Sequence, residues 1–399
     1  MTAPNTTSTP NTRSAPNTMS AAQAMMTLIR TLLKGEELPQ PFDCDLKEVF
    51  SLAKSHDMAH LVADALIKSG QVTKDHPAYD RLQKEKLLAV YREARISAVA
   101  EETQALLAGA GIRFIPLKGL VIRRLYPERW MRTSCDIDIL IEENDIEKAK
   151  KLLENSGFST DGVYNFHDMA FYKNDVHLEL HFSILEDDAQ IDGLLKRVWD
   201  YAELKDGCEY KQANEYYAFQ HVAHASHHFL NGGCGIRPFI DLWVLRKNGY
   251  YDEQKLAPLL EEAKLVVFYR EAVALSEFWM EDGAKTELTP TVEDFVLRNG
   301  VYGTQEENIN IGLAKNKNSK IKLLLKTAFP KYSTMACLYP VLKKHRILLP
   351  LCYARRFFAK AFGKDRKRIR KRVGDTLKKD PKTATAVGEL IKSLGLNQK

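Results

Sequence analysis

Two aspartates, Asp136 and Asp138, stand two residues apart inside the apolar run Arg132-Thr-Ser-Cys-Asp-Ile-Asp-Ile-Leu-Ile141. Upstream, Phe114-Ile-Pro-Leu-Lys-Gly-Leu120 carries a Lys-Gly pair. Side chains alternate between the faces of a strand, so both carboxylates point one way while Ile137 and Ile139 point into a core. Two like charges so placed are unfavourable without something positive between them. A divalent cation carrying the phosphates of a nucleotide meets that need. A third carboxylate comes from Val176-His-Leu-Glu-Leu-His-Phe182, where His177, Glu179 and His181 share one face and Leu178 and Leu180 the other. That polar face has two readings. It is either solvent-exposed, or it brings Glu179 beside the two aspartates on a neighbouring strand. Three carboxylates at one sheet edge suit Mg²⁺, which prefers oxygen ligands and keeps room for water and phosphate. Such a site can activate a hydroxyl to attack an α-phosphate.

Other polar residues have plainer alternatives. Lys118 is either a phosphate ligand or a surface lysine. Arg132 is placed to neutralise phosphate charge, whereas most of Arg123, Arg124 and Arg129 read as a solvated face. His221, His224 and His228 fall at i, i+3 and i+7 of an expected helix. They could bind zinc, or pack against the sheet with one imidazole reaching the nucleotide pocket. Arg237 and Asp241, four apart on the next helix, either pair with each other or line the cleft beside the break at Gly235. His167-Asp168 resembles a phosphohydrolase dipeptide, but no upstream His and downstream Asp frame it.

The elements that must position these groups follow from periodicity. Residues 1–20 repeat Pro-Asn-Thr and read as a disordered tail. Residues 21–110 carry helical spacing, including a long helix over 79–107 that stops before Gly109 and Gly111. Strands are expected at 114–117, 136–141, 164–173 and 176–184, with a short helix at 120–126 and a hairpin turn at Asn174-Asp175. Asn144, with Glu147 three residues on, should cap a helix ended by Gly157. From residue 191 the chain reads as helical to its end, with a break at Asn231-Gly-Gly-Cys-Gly235. The fold expected is α+β: a small mixed sheet at 111–190, an N-terminal helical region at 21–110, a C-terminal helical domain at 191–360, and a basic tail at 361–399.

The 399 residues are 45% hydrophobic and 28% charged, enough for a sizeable core. No apolar run reaches a membrane-spanning length, and no signal peptide is read at the N-terminus. The six cysteines lack any Cys-x-x-Cys pair. They read as reduced thiols of a cytoplasmic protein. The net charge of +6 is local: residues 355–379 hold 12 Lys/Arg and 2 Asp/Glu, leaving 46 basic and 50 acidic residues elsewhere. Basicity is therefore no argument that the whole chain binds nucleic acid. The run Arg366-Lys-Arg-Ile-Arg-Lys-Arg372 is a solvated helix or a contact for RNA or an anionic membrane surface, the latter aided by Phe357, Phe358 and Phe362.

Taken together, Pro116-Leu-Lys-Gly119, Asp136-Ile-Asp138, Glu179-Leu-His181, His224, Gly235-Ile-Arg237 and Asp241 resemble the nucleotidyltransferases of DNA-polymerase-β-like fold. Within them the chain is most similar to a bacterial family known as uncharacterised nucleotidyltransferases. Phe329-Pro330, Tyr339-Pro340, Leu348-Leu-Pro350 and Arg355 extend the likeness to roughly residues 22–360. Lys118-Gly119 stands where the wider superfamily has Gly-Ser, and Glu179 where this family more often has Asp. The resemblance implies transfer of a nucleoside monophosphate from an NTP, with ATP expected, to a hydroxyl-bearing acceptor, releasing pyrophosphate. Asp136, Asp138 and Glu179 would hold Mg²⁺ or Mn²⁺. Lys118, Gly119, Leu120, Arg132, His181, His224, Arg237 and Asp241 would contact the nucleotide. The alternative is a catalytically weak or inactive relative that binds a nucleotide or a partner.

Overall fold

A computed structural model describes residues 19–396 apart from 166, 187, 302 and 364–365. The Pro-Asn-Thr tract thus lies outside the described residues up to residue 18. The protein is α+β, with one six-stranded mixed sheet in the order β3-β4-β2-β1-β6-β5. The strands are β1 (Phe114–Pro116), β2 (Asp136–Ile141), β3 (Asp168–Lys173), β4 (Val176–His181), β5 (Ala202–Asp206) and β6 (Glu209–Gln212). β2 runs antiparallel to β1 and parallel to β4, with Asp138 opposite Glu179. β3 and β4 form the expected hairpin. Asn174 and Asp175 both have positive φ, 49° and 56°, which twists the turn to match the strands it joins.

The sheet separates two cores, and the alternation along β2 assigns each side chain to one of them. Ile137, Ile139 and Ile141, with Leu178 and Leu180 of β4, pack on Ile96, Val99 and Leu107 of helix Tyr79–Gly109 and on Leu153 of helix Ile146–Asn155. Leu140 faces the other way. It joins Ile115 and Leu117 and the helices Asn214–Phe229 and Arg237–Lys247. Asp136 and Asp138 lie on Leu140's face, where helix packing gives way to a cavity. This larger core also takes in Met25, Leu28 and Ile29 of helix Ala21–Lys34 and Phe268 and Leu275 of helix Val266–Glu281. The N- and C-terminal helical regions therefore share one interior. Helix Ala21–Lys34 starts at a Ser20–Gln23 capping box and stops at Gly35 with φ 68°.

Three expectations change. The stretch after residue 191 is not helical throughout: β5 and β6 form a hairpin that extends the sheet, β6 pairing in parallel with β1. Its sequence, Ala202-Glu-Leu-Lys-Asp and Glu209-Tyr-Lys-Gln, has too few apolar residues to show a strand period, as suits a charged sheet edge. Asn144 does not cap helix Ile146–Asn155; Glu143–Asp145 form a 3₁₀ turn instead. The short helix after the Lys-Gly pair is one α-turn, Gly119–Ile122, followed by 3₁₀ residues Arg123–Leu125. Within 361–399, Arg366–Lys378 and Pro381–Ser393 are helices, and Val387, Leu390, Ile391 and Leu394 enter the large core. No described helix is long and apolar enough to cross a membrane.

Candidate active site

The register of β2 against β4 brings the carboxylates together. Asp138, Glu179 and His181 each offer a ligand atom, and these atoms lie within 4.8 Å of one another. Asp136 sits two residues before Asp138 on the same face. His181 Nε2 is 2.9 Å from Asp138 Oδ1 and 3.4 Å from Glu179 Oε2. Burial disfavours the His181 imidazolium, but these two carboxylates outweigh it and hold its pKa at about 8. Burial also opposes ionisation of Asp138, yet Lys118 and His181 keep it well below the usual carboxylate range. Asp136 shifts the other way, upward, through burial and the charge of Asp138. Among the described residues no side chain hydrogen-bonds to the Asp136 carboxylate. The cluster therefore has one carboxylate well compensated and one not, which is the charge pattern a bound cation would balance.

Lys118 reaches this cluster by an unusual backbone. It has φ 40° and ψ −116°, a conformation that favours glycine and costs a side-chain-bearing residue about 1–3 kcal/mol. Its Nζ lies 2.8 Å from Asp138 Oδ1, and its carbonyl accepts a hydrogen bond from Tyr217 OH at 2.9 Å. The amides expected to meet phosphate differ. Leu120 N–H donates to the Leu117 carbonyl at 3.1 Å, leaving Gly119 as the one not so engaged. Arg123, read as part of a solvated face, is buried. It donates to the Gly119 carbonyl at 2.8 Å and to Ser134 Oγ at 2.6 Å, and Ser134 Oγ donates to the Asp136 carbonyl at 3.1 Å. Burial and nearby Arg132 lower its pKa to about 10. This chain of bonds ties the Lys-Gly turn to the start of β2.

Arg132 and Asp241, expected at the nucleotide, are locked together. Arg132 Nε and Nη2 make a forked pair with Asp241 at 2.9–3.0 Å, and Tyr126 OH donates to Asp241 Oδ1 at 2.7 Å. Asp241 thus pairs with Arg132, not with Arg237. Arg237 pairs with Asp57, which also accepts from Thr133 Oγ1 at 3.2 Å. The three helix histidines do not converge as a zinc site. His221 Nε2 donates to the Pro238 carbonyl at 2.8 Å. His224 donates from Nδ1 to Glu186 at 2.7 Å, and its Nε2 lies 3.0 Å from His228 Nε2. Burial holds His228 neutral, with its pKa down at about 3. His167, Asp168 and His181 form a second group of three candidate ligand atoms within 4.8 Å of one another. The neighbours His167 and Asp168 are thus not isolated from the site.

A cavity of about 270 Å³ opens beside the aspartates. Lys118, Asp136, Asp138, His221, His224 and Arg237 are among its lining residues, so the fold gathers the expected groups of β2 and the two helices around one space. Glu179 and His181 are not among the lining residues; Glu179 stands opposite Asp138 on β4. Tyr217, Glu186 and Asp57 also belong to this neighbourhood, and no spacing in the sequence marked them. Each acts across 38 to 180 residues of chain, on Lys118, His224 and Arg237 respectively.

The donor set fits a hard divalent cation: two carboxylates in register on adjacent parallel strands and a third on the same face. No curated protein and no solved structure matches the chain. A family match covers residues 43–281 and stops short of the C-terminal motifs at 329–355. It takes in every site residue described above and more than half the chain, which therefore belongs to the family described as uncharacterised nucleotidyltransferases.

Proposed function

We propose that the protein transfers a nucleoside monophosphate from an NTP to a hydroxyl-bearing acceptor, in a reaction that depends on Mg²⁺ or Mn²⁺. The observation that carries this reading is the in-register Asp138–Glu179 pair, with Asp136 on the same face beside the cavity. Asp136, Asp138 and Glu179 would hold the cation. When bound, it supplies positive charge to the triphosphate and lowers the pKa of the attacking hydroxyl. Lys118 and the Gly119 amide face the phosphates from the turn, and His224, His221 and Arg237 line the opposite wall. Asp136, whose carboxylate takes no side-chain hydrogen bond among the described residues, is the one most open to the cation and the acceptor's hydroxyl. Arg132 and Asp241 act by holding the wall together, since their forked pair leaves them little to offer a ligand.

A second reading, a nucleotide-binding protein without catalysis, has one observation in its favour. Asp138 Oδ1 takes both Lys118 Nζ and His181 Nε2, which uses both lone pairs of that oxygen and leaves only Oδ2 for a cation. Titration of an NTP into the protein with and without Mg²⁺ tests the site itself. Binding is expected to need the cation and to lose that dependence in Asp136→Asn/Asp138→Asn. Equal binding with and without Mg²⁺ in the wild type rejects the proposed cation site.

A further inference from the structure

We propose that the face formed by helices Leu349–Phe362 and Arg366–Lys378 docks on an anionic lipid surface. Its first support is where apolar side chains are exposed. Twelve of the twenty large apolar side chains exposed among the described residues lie between 321 and 377. Ile347 is 88% exposed, Phe362 74% and Leu351 67%. The local core beneath them consists of Met335, Ala336, Leu342 and Cys352. This part of the chain keeps more large apolar groups outside than inside. Six of the twelve, Leu351, Phe357, Phe358, Phe362, Val373 and Leu377, lie on the two helices of this face, and exposed apolar groups gathered in this way mark an interaction site. On helix Leu349–Phe362, Leu351, Phe358 and Phe362 follow one stripe, and the rings of Phe358 and Phe362 stack at 6.2 Å.

The second support is charge. Arg366, Lys367, Arg368, Arg370, Lys371 and Arg372 are all exposed, and among the described residues no carboxylate lies within ion-pair distance of any of them. Elsewhere in the protein, basic side chains are commonly paired. The third is a cavity of about 980 Å³ between this face and the helices Gln305–Lys315 and Lys320–Ala328. Arg356, Arg366 and Arg370 are among its basic lining residues, and Leu323, Leu324 and Val373 among its apolar ones. Basic groups beside aliphatic walls suit an amphiphile with an anionic head. Clustered Lys/Arg next to exposed Phe, Leu and Ile is the composition of a helix lying in a membrane interface. RNA would instead want single aromatic faces interleaved with the charges to stack bases. Here half of the exposed apolar groups on the two helices, Leu351, Val373 and Leu377, are aliphatic and offer no face for a base to stack on.

The test is sedimentation of the full chain with vesicles of phosphatidylcholine alone and of phosphatidylcholine mixed with phosphatidylglycerol, at low and high salt. Binding to the mixed vesicles alone, weakened by salt, is expected. Both Phe358→Ser/Phe362→Ser and Arg366→Glu/Arg370→Glu should weaken it by roughly tenfold or more, with unchanged circular dichroism. These four side chains are exposed, so neither variant removes core packing. Absence of binding to the mixed vesicles overturns the proposal, as does full binding by either variant. Capture of a single-stranded RNA oligonucleotide without vesicle binding, lost only in the arginine variant, would reassign the face to RNA.

Discussion

At residue scale, Lys118 is the position where backbone and chemistry compete. Its left-handed φ of 40° would suit glycine, yet a lysine stands there and reaches Asp138. Lys118→Ala and Lys118→Gly both delete the ammonium, but only glycine relieves the backbone. The glycine variant should therefore be the more stable of the two by about 1 kcal/mol in urea unfolding, while both lose NMP transfer. Equal stability would mean the turn is not strained. A second residue-scale expectation concerns His60, whose Nε2–H donates to the Met131 carbonyl at 3.0 Å. Burial lowers its pKa from the ordinary 6.5 to about 4, against the raising effect of that hydrogen bond. The folded state keeps His60 neutral where the unfolded chain takes up a proton. Its contribution to stability is thus complete above pH 6.5 and is lost as pH falls toward 4, by roughly 3 kcal/mol in all. His60→Gln keeps a donor and lacks this titration. Its stability deficit at pH 7 should shrink by pH 4.5 in chemical denaturation; a constant deficit contradicts the assignment.

At the scale of elements, the Arg132–Asp241 pair fastens the segment before β2 to helix Arg237–Lys247. Removing one partner strands a buried charge, so Asp241→Leu should cost about 3–5 kcal/mol, and Arg132→Met/Asp241→Leu much less. A double variant as unstable as the single would show that the pair's partners matter more than its charge balance. This pair also shows what was legible in the sequence. β2, β4, the Asn174-Asp175 turn and the long helix were readable because alternation, helical spacing and turn residues are local signals. The convergence of Asp136, Asp138 and Glu179 followed from two such strands being neighbours. Arg237 and Asp241 looked like an i, i+4 pair, yet each is claimed by a residue more than 100 positions away. Long-range partners such as Glu186 for His224 and Asp57 for Arg237 leave no periodic trace. The β5–β6 hairpin is not legible in the sequence because its charged edge strands lack alternation, although Gly207, at φ 53° in the two-residue turn, is a hairpin signal.

At the scale of the whole molecule, one large core joins the N-terminal helices, one face of the sheet and the last helix. Helix Pro381–Ser393 is thus part of the folded body, and deleting residues 381–399 exposes the surface that Val387, Leu390, Ile391 and Leu394 cover. The loss should be on the order of 5 kcal/mol, read as a lower denaturant midpoint; a solvated tail would leave the midpoint unchanged. This interior also closes the cavity around Asp136 and Asp138, since helices Asn214–Phe229 and Arg237–Lys247 form its far wall. The central claim is that this cavity performs chemistry at the α-phosphate of an NTP. The most direct measurement incubates the full chain with Mg²⁺, cell extract as the acceptor source, and each NTP labelled at either the α- or the γ-phosphate, alongside Asp136→Asn/Asp138→Asn. The account predicts label in an acceptor from the α-position only, and none with the double variant. Label that the chain adds from the γ-position over extract alone, or equal transfer by the variant, would contradict it.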